Sequence, residues 1–364
     1  MSDFRKDDDD VGKLVRDVLS ASNVNAMVLT DQEYDDSVFD AVEYVPFHYL
    51  QSWKAFDSAY LANCGGITTN VLIVFVENGE TKACWRLDLS KIDGRLRLGT
   101  DATSVLTPIF SKNCTVKYKK KITKSCIDIA QIISKKNAVV EWYSADCGPT
   151  STGVSIWHTL LRKQGKNCEV KYDMYINLDS EMSEIKASFR SSYKSLVNQG
   201  EKLWNCNVLD SGDESQWNEF HALHTGVSGR ETRSQATWDI QYDMICNKSG
   251  FAVLLRDESN TLVGGGFFAH SRDEGIYFSG AYDRDLFPLP LGHVVQAKAI
   301  SVLKDRGVRW YLLGTMAHET GRSPSSTKEA SISNFKEGFA THIFPRYIWT
   351  HTTSENDIKF EERY

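Results

Sequence analysis

The stretch GFAVLLRDESNTLVGGGFFAHSRDEGIYFSGAYD, residues 250–283, decides the fold of the second half of the chain. Polar turn residues at 258–260 and 272–275 separate three apolar runs, which predicts two successive hairpins and three antiparallel strands. The apolar periodicity of residues 292–307 then predicts a helix, and VRWYLLGT at 308–315 predicts a further strand. Strand, helix and strand in this order form a β-α-β step, so we expect an α/β (α+β) fold.

The preceding sequence shows the same alternation of strands and helices. Apolar runs typical of strands or helices lie at 25–30, 71–77, 82–89, 126–136, 137–145 and 168–178. Asn78-Gly79-Glu80 predicts a hairpin turn between two of these strands. At 364 residues the chain is too long for one ordinary core. We therefore predict two domains, 1–167 and 168–364, each a mixed, mostly antiparallel sheet flanked by helices.

The composition limits the protein class. With 41% hydrophobic and 25% charged residues, the chain resembles soluble globular proteins. No apolar run approaches the ~20 residues that span a bilayer, and the start lacks a secretory signal, so we expect a cytoplasmic protein without a membrane span. The eight cysteines show no zinc-binding spacing, and no metal site is predicted. A net charge of −6 gives no overall attraction to nucleic acid.

A proline-rich loop leads into the predicted helix that carries Gly292 and His293 in its first turn. Backbone N–H groups and the positive dipole end at a helix start favour a phosphate or a developing oxyanion. We therefore take Gly292 as a donor-binding residue and His293 as a candidate general base, because the dipole would keep its ring neutral at pH 7. The alternatives are a glycine that only permits the turn and a histidine that caps the helix or fills the core.

A loop rich in glycine and hydroxyl residues precedes another predicted helix and contains Arg230, Arg233, Trp238 and Gln241. Paired arginines grip a carboxylate or phosphate in bidentate fashion, and a tryptophan covers a sugar or base face. We predict that these four residues, with Tyr282 at the end of the hairpin, bind the substrate. Salt bridges at the protein surface explain the arginines equally well.

A polar loop leads into the third candidate segment, which contains Lys328, Glu329 and Lys336. A lysine here would neutralise a phosphate or an acyl oxygen of a bound donor. Ile332, Phe335 and Phe339 recur at helical spacing, so we expect their face to anchor the helix against the core and leave Lys336 free. Solvated helix residues would have the same composition.

Three segments carry a resemblance to a known family: SFRSSYKSLVNQGEK at 188–202, LVGGGFFAHSRDEGIYFSGAYDR at 262–284 and SISNFKEGFA at 331–340. They resemble the basic helix, the central hairpin and the closing FK-x-x-FG motif of the FemAB-like acyltransferases, a branch of the GNAT (N-acetyltransferase) superfamily. The resemblance implies tandem GNAT-like domains, the second of them catalytic. It also implies transfer of an acyl or aminoacyl group to an amine, with Lys336 near the carbonyl and phosphate of the donor.

The chain departs from the family pattern in two ways. Ala340 replaces the usual glycine of the FK motif, and we find no helical coiled-coil arm of the kind that some peptidoglycan-directed members insert. Segments such as PLGH and GRETRS are similar to those of relatives found with surface-polysaccharide and sialic-acid-like (nonulosonic) sugar pathways. We therefore expect N-acylation of an amino group on a nucleotide-linked or surface-glycan sugar.

The donor and the proton acceptor follow from this chemistry. We expect acyl-CoA or another activated acyl donor, with aminoacyl-tRNA or an acyl carrier protein as the alternatives. Amide formation also needs a group that takes the proton of the amine, for which His293, Asp283 and Glu329 are candidates. Two further functions stay open: aminoacyl-tRNA-dependent transfer to a cell-wall precursor, which the acidic charge does not favour, and a catalytically silent glycan- or nucleotide-binding module.

Overall fold

The computed structural model describes residues 12–20, 24–30, 33–93, 95–100, 104–139, 141–146, 148–149, 154–317 and 325–352. The chain divides into two compact units. One contains residues 1–171 and the segment from Pro345 onward, and the other contains residues 172–344. The predicted domain limits, 1–167 and 168–364, differ from this division at the C-terminal segment and stay a prediction.

The first unit contains a five-stranded antiparallel sheet in the order β1-β2-β3-β4, with β6 also paired to β3. These strands are β1 (Ala26–Thr30), β2 (Ile67–Glu77), β3 (Glu80–Ile92), β4 (Arg95–Leu98) and β6 (Ile109–Phe110). This unit also contains β5 (Val105–Leu106), β7 (Glu141–Asp146) and the last residues of β14 (His342–Thr352), which pair antiparallel with β7. The predicted hairpin joins β2 to β3, and both Asn78 and Gly79 have positive φ, as a tight two-residue hairpin turn requires.

The helices of the first unit are α1 (residues 12–20), α2 (Gln51–Ala62), α3 (Val116–Lys136) and α4 (Ile156–Lys163). Thr115 and Ser155 cap α3 and α4 by accepting hydrogen bonds from backbone N–H groups of the first turn. The apolar face of α3, including Ile129 and Ile133, packs in one core with Trp85 of β3. Burial of these apolar side chains stabilises the unit.

The second unit is built on a mixed sheet in the order β8-β13-β12-β11-β10-β9. Its strands are β8 (Asn167–Asn177), β9 (Asn205–Leu209), β10 (Gly250–Arg256), β11 (Leu262–His270), β12 (Glu274–Tyr282) and β13 (Trp310–Thr315). Its helices are α5 (Met182–Ser188), α6 (Ser191–Leu203), α7 (Glu214–Ser228), α8 (Gln235–Cys246), α9 (Leu291–Asp305) and α10 (Thr327–Glu337). The antiparallel meander β10-β11-β12 and the parallel pairing of β12 with β13 across α9 confirm the predicted elements.

Strands β12 and β13 diverge soon after they meet. Their parallel register runs only from Glu274 opposite Trp310 to Ile276 opposite Leu312, although β12 continues to Tyr282. A register shift between Leu312 and Gly314 accompanies the turn of β13 toward β8. The divergence opens a gap at one edge of each strand, and the candidate site lies beside it.

The predicted α/β (α+β) fold class is confirmed, since both units combine helices with largely antiparallel sheets. Within the described ranges, no helix is both long and apolar enough to cross a membrane.

Candidate functional site

Two of the three motif segments meet in the second unit. The backbone N–H of Arg190 donates to the carbonyl oxygen of Gly338 at 2.8 Å, and its guanidinium donates to the backbone and side-chain oxygens of Asn334 at 3.0 Å. The hydroxyl of Tyr193 donates to the carbonyl oxygen of Phe335 at 3.1 Å. These bonds fix the C-terminal half of α10 against the start of α6. The position of Lys336, on the same turn, is fixed with it.

Gly338 is needed for this close approach. A Cβ built at Gly338 would lie 2.3 Å from the ring of Tyr193, well inside contact distance. At the other end of α10, Ser326 and Glu329 form a capping box, in which the Glu329 carboxylate accepts from the N–H of Ser326 at 2.7 Å. This hydrogen bond lowers the pKa of Glu329. The structure therefore places Glu329 as a capping residue at an exposed helix start.

A cavity of about 1050 Å³ lies between β12, the start of α9 and α10, next to the divergence of the strands. The cavity is lined by five of the residues that we predicted from the sequence to belong to the site: Tyr282, Gly292, His293, Lys328 and Lys336. They come from three separate elements, so only the fold brings them together.

Lys336 is a half-buried cation on the cavity wall. Its Nζ lies over the ring of Tyr277, 5.1 Å from the centroid, and a Cβ built at Gly314 of β13 would approach Nζ to 2.9 Å. Within the described chain, no carboxylate forms an ion pair with it. Burial lowers the pKa of Lys336 to about 8, so the group is still mostly protonated at pH 7.

His293 also lines the cavity and lies among aromatic rings. Its ring meets Tyr193 and Phe335 edge-on, with centroid distances of 4.6 and 5.1 Å. Burial lowers the pKa of His293, which keeps the ring neutral at pH 7. The sequence analysis attributes the neutral ring of His293 to the helix dipole, whereas in the structure burial of the ring is the cause.

The start of α9 presents backbone donors at the cavity. Pro290 precedes the helix and provides no side-chain cap. In the part of the chain that the structure describes, neither the N–H of Gly292 nor that of His293 donates a hydrogen bond. A Cβ built at Gly292 would lie 3.0 Å from the ring of Phe335, so glycine allows α9 to begin close to α10. The two free N–H groups suit an anionic or carbonyl oxygen.

The site also contains a tyrosine that the sequence did not single out. The hydroxyls of Tyr277 and Tyr282, both on β12, lie 3.2 Å apart, and burial raises the pKa of each. Both phenols are therefore protonated at neutral pH and can donate hydrogen bonds. Tyr277 lies five residues before Tyr282, and a register shift between Phe267 and Phe268 on the partner strand β11 accompanies this arrangement. The bulge was not predictable from the strand pattern.

The apolar face predicted for α10 is wrong in one position. Phe339 is fully buried and Phe335 packs against the core, but Ile332 is 44% exposed and lines the cavity. The sequence pattern located the helix and two of its anchors, while the third apolar residue faces the space that a ligand would occupy.

Trp238 and Gln241 lie in the interior, outside the cavity lining. Trp238 is 1% exposed and its ring stacks on His221 with a centroid distance of 4.2 Å. Gln241 is fully buried and donates to the carbonyl oxygen of Thr237 at 2.9 Å. Their burial gives them a packing role in α8, and we do not include them in the proposed site.

Arg230 and Arg233 lie on the loop between α7 and α8. Arg230 is exposed, and its carbonyl oxygen accepts a hydrogen bond from Ser228. Arg233 is half-buried. The pKa of His224 is lowered to about 4 by the burial of its own ring and by the nearby positive charge of Arg233. Val227, in the last turn of α7 before this loop, lines the cavity, whereas the two arginines do not.

Asp283 lines a smaller cavity of about 390 Å³ beside the same loop, together with Arg284. Its carboxylate accepts from the N–H of Asp285 at 3.0 Å and caps a short 3₁₀ helix. Arg284 lines both cavities and donates to the carbonyl oxygen of Val227. The structure thus places Asp283 beside the larger cavity rather than in it. Nowhere in the described ranges do three or more His, Cys, Asp or Glu residues form a group suited to a metal ion.

Comparison with known proteins adds evidence on the fold. No protein-family model matches the chain, and no similar curated protein is found. Among solved structures, FemX matches with a TM-score of 0.67 at 12% identity, covering 93% of this chain and 100% of FemX. The chain has the FemX fold.

Two further solved structures resemble this chain at lower similarity. One is the C-terminal domain of a candidate lysylphosphatidylglycerol synthetase from Agrobacterium fabrum, with a TM-score of 0.51, 13% identity and coverage of 85% of this chain and 90% of that chain. The other is a protein of unknown function from Bacteroides thetaiotaomicron, with a TM-score of 0.52, 8% identity and coverage of 89% and 99%. At such identities the likeness establishes the fold alone. The fold that the FemAB-like resemblance implied is confirmed to this extent by the likeness to FemX.

Proposed function

We propose that the chain is an acyltransferase that moves an acyl group from an activated donor to an amine, and that the 1050 Å³ cavity of the second unit is its active site. The observation that carries the proposal is Lys336, a half-buried cation without a carboxylate partner in the described chain, facing this cavity. Burying such a charge costs free energy, and proteins keep perturbed groups of this kind where chemistry needs them. The FemX fold is consistent with this function.

The cavity supplies the groups that stabilise developing negative charge. When an amine attacks the donor carbonyl, the carbonyl oxygen becomes an oxyanion. In our proposal the ammonium of Lys336 stabilises that oxygen, and the free N–H groups of Gly292 and His293 hold the donor. Tyr277 and Tyr282 are protonated phenols beside Lys336 and add further donors.

The amine must lose a proton as the amide forms. His293 is neutral and lines the cavity, so in our proposal a ring nitrogen accepts this proton as the carbon–nitrogen bond forms. The donor's leaving group, a thiolate in the case of a thioester, then departs and takes up the proton that His293 holds, which restores the neutral ring. Glu329 is committed to capping α10 and Asp283 to capping the 3₁₀ helix, so we assign the base role to His293.

The acceptor that we propose is an amino group on a nucleotide-linked or surface-glycan sugar, and the donor is acyl-CoA, in the cytoplasm. Val227, in the last turn of α7 just before the loop with Arg230 and Arg233, lies on the cavity wall, so we propose that a phosphate or carboxylate of the acceptor reaches this loop. Lys328, exposed on the cavity rim, is proposed to contact a phosphate of the donor.

The second candidate is transfer from aminoacyl-tRNA. It is favoured by the likeness to a candidate lysylphosphatidylglycerol synthetase, whose name describes a lysyl group joined to a lipid. The net charge of −6 opposes it, because tRNA binding depends on phosphate contacts.

A panel assay separates these proposals. The protein is incubated with acyl-CoA thioesters, acyl carrier protein thioesters or aminoacyl-tRNA and with a nucleotide-linked amino sugar, and the acceptor mass is measured. The proposal expects an added acyl mass from a thioester. Product from aminoacyl-tRNA alone, together with salt-sensitive tRNA retention, would establish the second candidate. Tight donor binding without product from any pair would identify a binding module and refute the enzymatic proposal.

A further inference from the structure

Two large apolar side chains that solvent reaches line the active-site cavity, beside the exposed Arg284 and Lys328. Phe287, which follows the 3₁₀ helix after β12, is 62% exposed, and Ile332 of α10 is 44% exposed. Both line the cavity, as do Leu289 and Val227. Single exposed apolar residues need no explanation, but several that converge on one concave site indicate a ligand with an apolar part.

The inner wall has the opposite character. There Lys336 lies over Tyr277, and Gly292 and His293, whose N–H groups donate no hydrogen bond among the described residues, line the same cavity. The cavity therefore offers a positive charge and hydrogen-bond donors at one wall and apolar surface toward the mouth. A ligand that fits this arrangement carries an oxygen-rich head and an apolar tail.

The size of the cavity also favours a ligand with a large apolar part. At about 1050 Å³ it slightly exceeds the ~300–1000 Å³ that holds a drug-sized molecule. An acetyl group would fill only a small part of it and would leave the apolar residues of the mouth in water.

We propose that the acyl group is a medium- or long-chain fatty acyl chain, with its carbonyl at Lys336 and its tail between Phe287 and Ile332. This inference rests on the proposed acyl transfer and names its donor class. It excludes acetyl and small polar aminoacyl groups as the preferred substrates, because neither uses the apolar mouth.

Binding of free saturated fatty acids to the full chain tests the inference without requiring catalysis. Their carboxylates stand in for the donor carbonyl, and calorimetry or displacement of a fluorescent fatty acid reports the affinity. From about four to about twelve carbons, the dissociation constant should fall up to about fourfold for each added methylene that is buried. A dissociation constant that does not depend on chain length would overturn the proposal.

Variants locate the chain in the cavity. Phe287→Ser and Ile332→Ser should each reduce the dependence on chain length, whereas Ile343→Ser, at an equally exposed position that does not line the cavity, should not. Lys336→Met should weaken all chain lengths by a similar factor, since it removes the contact to the head. An equal effect of the serine changes at Phe287 and Ile343 would place the tail elsewhere and refute the assignment.

Transfer assays distinguish failure of this inference from failure of the proposed function. Equally efficient transfer from acetyl-CoA and dodecanoyl-CoA would overturn the fatty-acyl assignment and leave acyl transfer intact. Binding that depends on chain length and on Phe287, without transfer from any donor, would refute the proposed function and support the apolar subsite. Preferential transfer of the long chain, lost in Phe287→Ser and kept in Ile343→Ser, is the result that the inference predicts.

Discussion

Replacing Lys336 with methionine should lower activity and raise stability at the same time. Methionine keeps the length and the apolar stem of lysine but removes its charge. In the proposed mechanism the ammonium stabilises the oxyanion, and loss of one such group typically costs ~100-fold in kcat, or about 3 kcal/mol. We expect Lys336→Met to lower kcat at least about tenfold.

The stability change follows from the pKa. Burial lowers the pKa of Lys336 from 10.5 to about 8, a difference that corresponds to at most about 3 kcal/mol, less what solvent contact relieves. Below pH 8 both the folded and the unfolded chain carry the proton, so folding bears the cost of burying the charge. Between pH 8 and 10.5 the folded chain loses the proton first, the cost is relieved, and the free energy of unfolding rises. Lys336→Met should remove the free-energy cost of burying the charge at pH 7. It should also abolish the rise in the free energy of unfolding between pH 8 and 10.5.

Two measurements check the prediction: acyl transfer under saturating substrate and thermal or urea unfolding at pH 7 and near pH 9.5. Lys298→Met, at an exposed position on α9, is the matched control and should change neither result. A Lys336→Met protein with wild-type kcat, or one less stable at pH 7 than the wild type, would refute the reasoning.

Three further predictions concern the base, the acceptor loop and acid stability. Because burial lowers the pKa of His293, activity should fall only at pH values below the ordinary histidine range, and His293→Gln should lower kcat and abolish this acid limb of the pH profile. Arg230→Ala should raise KM for a charged acceptor more than it lowers kcat, because an exposed arginine supplies ground-state binding. The buried ring of His351, whose pKa burial lowers to about 3, stabilises the first unit only while neutral. Because the folded pKa lies below the ordinary 6.5, the free energy of unfolding should decrease by a few kcal/mol as pH falls from 6.5 toward 3, as urea titrations would show.

Each of these predictions has a contrary outcome. An unchanged acid limb in His293→Gln would assign the proton to another group. An unchanged KM in a folded Arg230→Ala protein would leave that arginine as a surface residue. A free energy of unfolding that stays constant between pH 7 and pH 4 would mean that the ring of His351 is solvated or charged in the folded chain.

Local patterns were enough to predict the central elements of the second unit. The meander of β10, β11 and β12 follows from short apolar runs and polar turns, and α9 follows from its 3.6-residue periodicity. Lys336 and His293 were nominated from a motif and a helix start, and the fold brings both to one cavity. Both predictions rest on residues that lie close together in the sequence, and a local pattern contains this information.

The residues whose surroundings differ from the prediction are placed by contacts between segments that are far apart in the sequence. Trp238 and Gln241 have the composition of a binding loop, but α8 turns them toward the core, where Trp217 and His221 surround the indole. Ile332 fits the apolar stripe of α10, yet the cavity lies beside it, and Tyr277 faces the cavity through a bulge in the sheet. Periodicity shows that a residue is apolar and which way it faces on its own helix or strand, but not what occupies the space opposite.

The most direct test of the account is acyl transfer by a chain whose cavity has been filled. Ser331 is exposed on α10 and lines the cavity, so Ser331→Trp should place an indole there without disturbing the core. With a thioester donor and an amine acceptor, the wild type should form an amide product detectable by mass, and Ser331→Trp should lose this turnover while melting at the wild-type temperature. Product formation at the wild-type rate in folded Ser331→Trp would contradict the claim that this cavity is the active site.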